Sequence, residues 1–413
     1  MHLEKLKKFD PEIADAIERE KRRQMDGIEL IPSENLVSDE VMEAMGTVLA
    51  NKYSEGMPHK RYYGGNEVID EVEDIAVERA RQLFGAQHVN VQPLSGSPAN
   101  MAVYFATMEL HDRFMGMALD MGGHLTHGSP VNFSGKFYTP IPYGVDRETE
   151  TIDYDEVKKL AIKEKPKMIL SGYTAYPRAI DFRAFREICD EAGAICFADI
   201  SHIAGLCAAG VHENPVPYFD VVTTTTHKTL RGPRGAIIMC KEELAAKIDK
   251  AVFPGLQGGP HDHINAAKAV AFKEAMSDGF KAHARQIVKN AKALAEALQS
   301  EGFRLVSGGT DNHLMLIDLR KVGVTGKQAE IALDKAGIYC NKNSVPFDER
   351  KPWDPSGIRI GTPVLTTRGM KEKDMKEVAS FIARAVKSVD DEAKLKAIKN
   401  DVLHFCKNFQ FYK

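Results

Sequence analysis

The sequence predicts an α/β fold with a mainly parallel sheet, because short apolar runs alternate with amphipathic stretches between about residues 65 and 275. Repeats of this kind form βα units, which place parallel strands side by side with helices on both faces of the sheet. A long helical pattern then leads into a second group of strands and helices. Residues 31–277 are therefore expected to form a large domain and residues 278–413 a smaller C-terminal domain.

Strands are expected where β-branched or aromatic residues form short apolar runs. In the large domain these runs are Val89–Gln92, Met168–Ser171, Ala194–Ala198, Val221–Thr226 and Ala236–Cys240. Helical spacing predicts helices at Glu67–Phe84, Phe182–Glu191, Lys241–Lys250, Ile264–Met276 and Ala282–Gln299. In the second domain we expect a strand at Leu314–Leu319 and helices at Gly326–Lys335 and Lys371–Val389. Asp10 before Pro11 is a typical helix start, so residues 1–30 are expected to form a helical arm that packs on a partner subunit.

Composition and charge argue against several other classes of protein. The 413 residues are 43% hydrophobic and 27% charged, as in an ordinary globular protein, and two domains fit this length. A formal net charge of -3 without a long basic run argues against nucleic acid as a partner. No apolar stretch reaches the ~20 residues of a membrane span, and the opening residues lack the apolar core of a signal peptide. The six cysteines show no Cys-x-x-Cys pair and no metal-ligand spacing, so we expect reduced thiols, no bound metal and a cytoplasmic location.

A lysine follows the β-branched run Val221–Thr226 and is the strongest candidate for covalent chemistry. In open α/β sheets, ligands bind beyond the carboxyl ends of the strands, which is where Lys228 would lie. Burial there, together with Arg231 and Arg234, would favour the neutral amine, which is the form that attacks a carbonyl group. A solvated loop lysine is the alternative. The surrounding pattern favours a lysine that forms a Schiff base.

Asp199 ends a second apolar run, Ala194–Ala198, and would lie near the same edge of the sheet. A buried carboxylate requires a cationic partner. Pyridoxal 5'-phosphate (PLP) supplies one, because an aspartate beside its pyridine nitrogen keeps that nitrogen protonated and lets the ring accept electrons. Asp199 alone could also be a helix cap or a structural carboxylate. Together with Lys228, it predicts a PLP site.

A phosphate site is expected where a helix begins after the run Val89–Gln92. Ser97 as the N-cap and Pro98 in the first turn would leave backbone N–H groups free. Such a helix start binds anions, and Ser95, Gly96 and Ser97 would surround the phosphate, with two hydroxyl groups as further donors. A plain capped helix is the alternative.

Several longer motifs resemble those of the serine hydroxymethyltransferases, which are PLP enzymes. The resemblance runs from the Asp10–Pro11 helix start to about the last twenty residues. It includes the lysine motif Thr223–Gly235 and the segments Leu30–Asn35, Lys60–Asn66, His124–Ser129 and Ser356–Pro363. It implies fold type I, similar to aspartate aminotransferase, with an α+β small domain. It also implies a homodimer with shared active sites, which could assemble further into a tetramer.

The resemblance also implies roles for single residues. Glu55 matches a glutamate that is contributed across the dimer interface, and it is our acid/base candidate, although a solvated loop glutamate is the alternative. Arg359, inside an apolar and glycine-rich segment, is expected to bind the substrate carboxylate through two hydrogen bonds. Further catalytic or substrate contacts are implied for Ser33, Tyr63, His202 and His227. Further PLP contacts are implied for Tyr53, His124, Thr174, Gly258 and Gly259. Contacts to tetrahydrofolate are implied for Leu119, Gly123, Leu125 and Asn343.

Four residues depart from the family's common pattern. Thr174 stands where serine usually hydrogen-bonds the phenolic oxygen of PLP, and its hydroxyl group keeps that bond possible. Ser201 replaces an alanine, and His261 and Asp262 lie near the loop that crosses to the neighbouring subunit. None of the four is at a position that the chemistry requires.

The predicted reaction is the reversible transfer of the hydroxymethyl carbon of L-serine to tetrahydrofolate, which gives glycine and 5,10-methylenetetrahydrofolate. Serine, glycine and tetrahydrofolate are therefore the expected small-molecule partners. A folate-independent PLP aldolase that acts on threonine or α-methylserine is the alternative, and the retained pterin contacts and Glu55 disfavour it. A catalytically silent binding protein is a second alternative. Such a protein would be free to lose Lys228, which this chain keeps.

Overall fold

The computed structural model describes residues 3–412, so residues 1–2 of the expected arm and residue 413 of the expected C-terminal domain lie outside the described residues. The chain divides into two compact units. The terminal unit contains the residues up to Glu34 and those from Gln286 onward, and the central unit contains Asn35–Arg285. The expected domain borders at residues 30/31 and 277/278, and the packing of the arm on a partner subunit, stay predictions.

Helices and strands are labelled in chain order within the described residues. The helices are α1 (Glu4–Phe9), α2 (Pro11–Asp26), α3 (Asp39–Met45), α4 (Glu67–Phe84), α5 (Gly96–Thr107), α6 (Phe133–Phe137), α7 (Tyr154–Glu164), α8 (Phe182–Ala192), α9 (Ala204–Ala208), α10 (Glu242–Lys250), α11 (Asp262–Ala275), α12 (Asp278–Ser300), α13 (Gly326–Lys335), α14 (Pro363–Thr367), α15 (Met375–Val386) and α16 (Glu392–Cys406). The strands are β1 (Ile28–Glu29), β2 (Gly56–Met57), β3 (Lys60–Arg61), β4 (His88–Asn90), β5 (Arg113–Met117), β6 (Thr139–Tyr143), β7 (Met168–Ser171), β8 (Ile195–Asp199), β9 (Val221–Thr225), β10 (Ala236–Cys240), β11 (Arg304–Leu305), β12 (Leu314–Asp318), β13 (Ile338–Tyr339), β14 (Asn341–Asn343) and β15 (Gly357–Gly361).

The central unit is built on a sheet with the strand order β4-β10-β9-β8-β7-β5-β6. The pairs β5–β6, β5–β7, β7–β8 and β8–β9 are parallel, whereas β10 is antiparallel to both of its neighbours. The predicted α/β class with a mainly parallel sheet is therefore confirmed. Since β9 and β10 are adjacent and antiparallel, residues 226–235 connect them directly, without a crossover helix.

The core of the central sheet explains its strand sequences. Strands β7, β9 and β10 are buried along their whole length, which fits their nearly continuous apolar or β-branched composition. Helix α4 has the predicted bounds, and α8 and α10 differ from the predicted helices by one residue at one end. Strands β5 and β6 were not among the predicted elements.

The terminal unit contains a sheet with the order β11-β12-β15-β14, and all of its pairs are antiparallel. Its apolar core includes Ile317 and Ile358 from this sheet and Leu333 and Ile382 from α13 and α15. The N-terminal residues belong to the same unit, because the Arg368 guanidinium donates hydrogen bonds to the carbonyl oxygens of Met25 and Gly27. Among residues 3–412, no helix is both long and apolar enough to span a membrane.

Candidate active site

Lys228 lies in the connection between β9 and β10, three residues after β9 ends. Its carbonyl oxygen accepts hydrogen bonds from Asn35 Nδ2 at 3.2 Å and from the backbone N–H of Arg231 at 3.0 Å. The hydroxyl group of Thr229 donates to the carbonyl oxygen of His202 at 2.8 Å. These bonds fix the backbone around Lys228 and tie it to the segment that follows β8.

Asp199 is the last residue of β8 and is 8% exposed. Its Oδ2 accepts a hydrogen bond from Asn100 Nδ2 at 2.8 Å and lies 3.4 Å from His127 Nε2, and its Oδ1 accepts from the backbone N–H of Ser201 at 3.0 Å. Burial would raise the pKa of this carboxyl group. The hydrogen bond and charge interaction with His127, helped by the charge of Lys228, hold the pKa well below its usual range. Asp199 is therefore ionised, as the partner of a protonated ring nitrogen must be.

The side chain of Asn100 is oriented by partners on two other segments. The Thr223 hydroxyl group donates to Asn100 Oδ1 at 2.6 Å, which turns the amide nitrogen toward Thr126 Oγ1 at 2.8 Å and toward Asp199. Thr223 also pairs with Asp199 across β8 and β9. The amide is thus fixed in the orientation that donates to the carboxylate.

His127 is held in a similar way. Its Nδ1 accepts a hydrogen bond from the backbone N–H of His124 at 3.2 Å, so in the neutral ring Nε2 carries the proton that faces Asp199. Sequence reasoning did not single out His127, or the residues Asn100, Thr126 and Thr223. The signal was that three of them lie inside family-like motifs: Thr126 and His127 in His124–Ser129, and Thr223 in Thr223–Gly235.

The loops that carry His124 and Thr174 lie next to each other. The backbone N–H of Thr174 donates to the carbonyl oxygen of Gly122 at 2.9 Å. Gly123 has no space for a side chain, because a Cβ atom there would collide with the carbonyl oxygen of Met117. The predicted ring-stacking histidine and the predicted phenolic-oxygen partner are therefore brought together by backbone contacts.

Two large apolar side chains on the same stretch face solvent. Leu119 is 47% exposed and Leu125 is 43% exposed, on either side of the Gly122–Gly123 turn. Exposed apolar side chains that flank a glycine turn offer a surface for the flat face of a ligand. This is the part of the chain to which the resemblance assigns pterin contacts.

The helix expected to bind phosphate is α5, but the predicted cap is wrong. Helix α5 begins at Gly96 with Ser95 as its N-cap, and Ser97 lies in the first turn. Ser95 is extended, with φ -163°, and its hydroxyl group caps none of the helix N–H groups. A Cβ atom on Gly96 would lie 2.8 Å from Thr225 Cγ2, so the start of α5 packs against the end of β9. The N–H groups of α5 and the two serine hydroxyl groups thus lie close to the Lys228 connection.

Lys268, which sequence reasoning also missed, holds the segment that leads into α5. It lies on α11 and is 1% exposed. Its Nζ donates to the carbonyl oxygens of Val91 at 2.5 Å and Pro93 at 3.3 Å. Burial lowers the pKa of Lys268 to about 7.

His227 provides a test of whether PLP fits these residues. Burial, with the charges of Lys228 and Arg234, lowers the pKa of His227 to about 3, so its ring is neutral. Its Nδ1 is buried and has no hydrogen-bond partner within the described chain. An orphaned polar atom next to Lys228, an amine whose charge also affects Asp199, indicates a polar ligand. The donors at the start of α5 suit its phosphate, so the residues fit PLP.

Glu55 and its expected neighbours form a second group in the central unit. Tyr53 donates its hydroxyl hydrogen bond to Glu55 Oε1 at 3.2 Å, and the rings of Tyr53 and Tyr63 meet edge to face with centroids 5.3 Å apart. A Cβ atom on Gly258 would lie 3.1 Å from Glu55 Oε1, and one on Gly259 would lie 3.4 Å from the Tyr53 ring. The two segments expected to serve the neighbouring subunit thus lie side by side in one chain.

Of the residues predicted to contact the substrate carboxylate, Arg359 and Ser33 lie in the terminal unit and His202 lies in the central unit. Arg359, on β15, is 7% exposed, and its Nε donates to Asn341 Oδ1 at 3.0 Å. Burial lowers the pKa of Arg359 to about 10. The backbone N–H of Gly361 donates to the carbonyl oxygen of Leu30, so the segment Leu30–Ser33 runs beside the end of β15. Asn343 lies on β14, and its Nδ2 donates to the Ser344 carbonyl oxygen.

A comparison with protein families agrees with this arrangement. Residues 6–382 match the family model described as serine hydroxymethyltransferase, which is most of the 413-residue chain. Enzymes of this family have fold type I, depend on PLP and use tetrahydrofolate as a co-substrate. The predicted resemblance, fold type and cofactors are therefore confirmed. The chain belongs to the serine hydroxymethyltransferase family and is a PLP-dependent enzyme.

Proposed function

We propose that this enzyme transfers the hydroxymethyl carbon of L-serine to tetrahydrofolate, and that the reversible reaction gives glycine and 5,10-methylenetetrahydrofolate. The observation that carries the proposal is the ionised, buried Asp199, with Lys228 close enough to affect its pKa. Cleavage of a bond at the Cα atom of an amino acid needs an electron-accepting cofactor, an amine that binds it and an anion that keeps its ring cationic.

Residues of the central unit would hold the cofactor. The segment Ser95–Ser97 would bind the phosphate through the N–H groups of α5 and two hydroxyl groups. Asp199 would keep a proton on the ring nitrogen, His124 would lie against the ring face, and Thr174 would donate to the phenolic oxygen. Lys228 would bind the aldehyde carbon. Bound PLP supplies the electron sink for charge that develops at the substrate Cα atom.

Other side chains would bind the substrate and transfer its hydroxyl proton. Arg359, helped by Ser33 and His202, would bind the carboxylate of serine, because a buried guanidinium gains from an anionic partner. Glu55 would move the proton of the serine hydroxyl group, and Tyr63, whose ring packs against that of Tyr53, would contact the substrate. For tetrahydrofolate, Leu119 and Leu125 would contact the pterin. Gly123 would contribute backbone contacts, and Asn343 a side-chain contact.

The proposed reaction is tested by glycine production from serine with and without tetrahydrofolate. We expect glycine formation to depend on the folate, and the purified enzyme to show the visible absorption of bound PLP. Equal glycine formation without folate would instead support a folate-independent aldolase. Visible absorption without any glycine formation would support a silent homologue.

We also propose that the smallest active unit is a homodimer in which Glu55 serves the site of the neighbouring subunit. The support is the surface around Glu55: Tyr53 is 55% exposed and Tyr63 is 50% exposed, and Gly258 and Gly259 lie against Glu55 and Tyr53. Large aromatic side chains that stay exposed next to a candidate catalytic carboxylate are typical of an interface. A tetramer would contain two such dimers.

Mixing two inactive variants tests the shared site. In heterodimers of Glu55→Gln and Lys228→Ala chains, one of the two sites contains both intact residues if each site draws them from different chains. With random exchange, half of the dimers are mixed, so about a quarter of the wild-type activity should return. Both parents must first be shown to be nearly inactive. Verified heterodimers that recover no activity would mean that Glu55 and Lys228 serve the same chain's site.

The cytoplasm is the compartment that we propose. All six cysteines, which lie within the described residues, are free and buried. Disulfides are rare in reducing compartments, so this pattern fits the cytosol. Recovery of the native protein mainly from an oxidising compartment would contradict the proposal.

A further inference from the structure

Asp262 marks the start of α11 and is one of the residues at which the chain departs from the family's pattern. Its carboxylate is 2% exposed, and both of its oxygens accept from the Ser54 hydroxyl group, with Oγ at 2.7 and 2.8 Å. Burial raises the pKa of Asp262, and the Ser54 hydrogen bond opposes this shift. A buried carboxylate that is directed at a single hydroxyl group is a specific contact, because it would be costly without that partner.

The hydroxyl group in question belongs to the residue just before Glu55. The backbone on both sides of Glu55 is also held, since Arg61 Nη1 donates to the carbonyl oxygens of Ser54 at 3.0 Å and Gly56 at 2.8 Å. Arg61 is itself 3% exposed and pairs with Glu73 and Asp70. Asp262 therefore adds a side-chain contact to a segment that Arg61 holds through two backbone carbonyl oxygens.

The same carboxylate connects a second segment. Asp262 follows Gly259 by three residues, and Gly258 and Gly259 lie against Glu55 Oε1 and the Tyr53 ring. The Ser54–Asp262 contact thus closes a link between the two segments that the proposed shared site assigns to the neighbouring subunit.

We propose that Asp262 is a positioning residue that acts through Ser54 to hold Glu55 in place for the site of the neighbouring subunit. This inference rests on the proposed function, because it takes Glu55 as the acid/base group of a shared site. Asp262 touches neither the substrate nor the cofactor in this role. Its loss leaves the Ser54 hydroxyl group unpaired and lets the Glu55 segment take up other positions.

A double-variant comparison tests the coupling. Asp262→Ala and Ser54→Ala should each lower kcat for serine with tetrahydrofolate by about 10-fold or more, since small misplacements of a catalytic group are costly. The double variant should lose no more than the stronger single variant, because both changes break the same contact. PLP content and the serine KM should change little. Asp278→Ala, at the start of the next helix and exposed, is the matched control and should keep wild-type kcat.

A purely structural role would give a different result. It would lower the melting temperature while leaving kcat unchanged, or would make the two losses additive, and either result would overturn the proposal. Ser54→Ala removes only a hydroxyl group, so it keeps the test decisive even if Asp262→Ala folds poorly.

Heterodimers show in which site Asp262 acts. Asp262→Ala is added either to the Lys228→Ala chain, which supplies the intact Glu55, or to the Glu55→Gln chain, which supplies the intact Lys228. We expect the restored activity to fall about 10-fold only in the first arrangement. Equal losses in both arrangements would overturn the proposal while leaving the shared site standing. If the parent heterodimer regains no activity, the proposed shared site is wrong, and so is the proposed action of Asp262 across the interface. The double-variant kinetics would still decide whether Ser54 and Asp262 are coupled.

Discussion

Asp199 and Glu55 are the two carboxylates of the proposed mechanism, and the chain holds them in opposite ways. The Asp199 carboxylate itself is fixed, by Asn100 and His127 on one oxygen and a backbone N–H on the other, and it is buried. At Glu55 the neighbours are fixed, through Ser54 and Gly56, while its side chain is half-buried beside exposed tyrosines. In the proposed mechanism the charge of Asp199 must stay constant, and its carboxylate is fixed by its own hydrogen bonds. Glu55 would exchange protons, and it is held mainly through the residues on either side of it.

The largest effect should come from the Asp199 side of this comparison, at Lys228. Lys228→Ala is expected to abolish both turnover and the covalent attachment of PLP, because in the proposed site Lys228 would supply the amine that binds the aldehyde. Borohydride reduction of the wild-type enzyme, followed by peptide mapping, should find the pyridoxyl label on Lys228. A label on another lysine would show that the site is assigned wrongly.

Neutralising each carboxylate should separate the two regions. Asp199→Asn keeps the shape but removes the charge that, in the proposed site, would stabilise the cationic ring, so we expect turnover to fall at least about 100-fold and the visible spectrum to change. Glu55→Gln should also lower turnover but leave the spectrum of bound PLP unaltered. Asp220→Asn, whose native carboxylate pairs with Arg186 and Lys241 just before β9, is a control for structural loss. A spectrum that changes with Glu55→Gln and not with Asp199→Asn would reverse the comparison.

Arg359 extends the comparison to a charge in the terminal unit. Arg359→Lys keeps the charge and loses the two-bond geometry, so serine binding should weaken by about 2–5 kcal/mol while PLP stays bound. Serine titrations that follow the absorption of the cofactor measure this directly, with the partly exposed Arg350→Lys as a control. An unchanged affinity for serine would remove Arg359 from the substrate site.

The smallest effect concerns Lys268, which binds the backbone of the segment that leads into α5, the helix expected to bind phosphate. The pKa of Lys268 is about 7 in the folded protein, whereas a lysine in an unfolded chain has a pKa of about 10.4. Between these pH values the unfolded chain binds more protons than the folded chain. The free energy of unfolding of the wild type therefore rises with pH, and this contribution is absent from Lys268→Met. Urea unfolding of the cofactor-free proteins at about pH 7, 8 and 9 should show that the free energy of unfolding of the wild type rises with pH relative to that of the variant. Parallel pH curves would contradict the shift, and Lys281→Met, at an exposed site, is the control.

Much of the Asp199 region could be read from the sequence, because local patterns encode it. A charged residue that ends an apolar run marks the end of a buried strand, and both Asp199 and Lys228 follow such runs. The helix start was placed two residues too late, because Ser97 before Pro98 has the pattern of a cap while Ser95 takes the cap position. Strand β6 was missed since Pro140 and Pro142 argue against a strand, and only its place at the edge of the sheet tolerates them.

Tertiary contacts account for what the sequence could not give. Asn100, Thr126 and Thr223 come from three distant segments, and only the folded sheet brings them to one carboxylate. Lys268 and Asp262 reach their partners from α11 over long sequence separations, and neither has a local pattern that marks it. Local sequence patterns therefore predicted Asp199 and Lys228, which the ends of two strands position, and did not predict the side chains that contact them.

The burial of every cysteine has a practical consequence for watching subunits exchange. Burial raises the pKa of thiols such as those of Cys207 and Cys340, so maleimide dyes would react with them very slowly. A single cysteine introduced at an exposed position would then be the one site that takes up a fluorophore. If protein labelled with a donor dye is mixed with protein labelled with an acceptor dye, the rise in energy transfer would measure how fast subunits of the proposed dimer exchange.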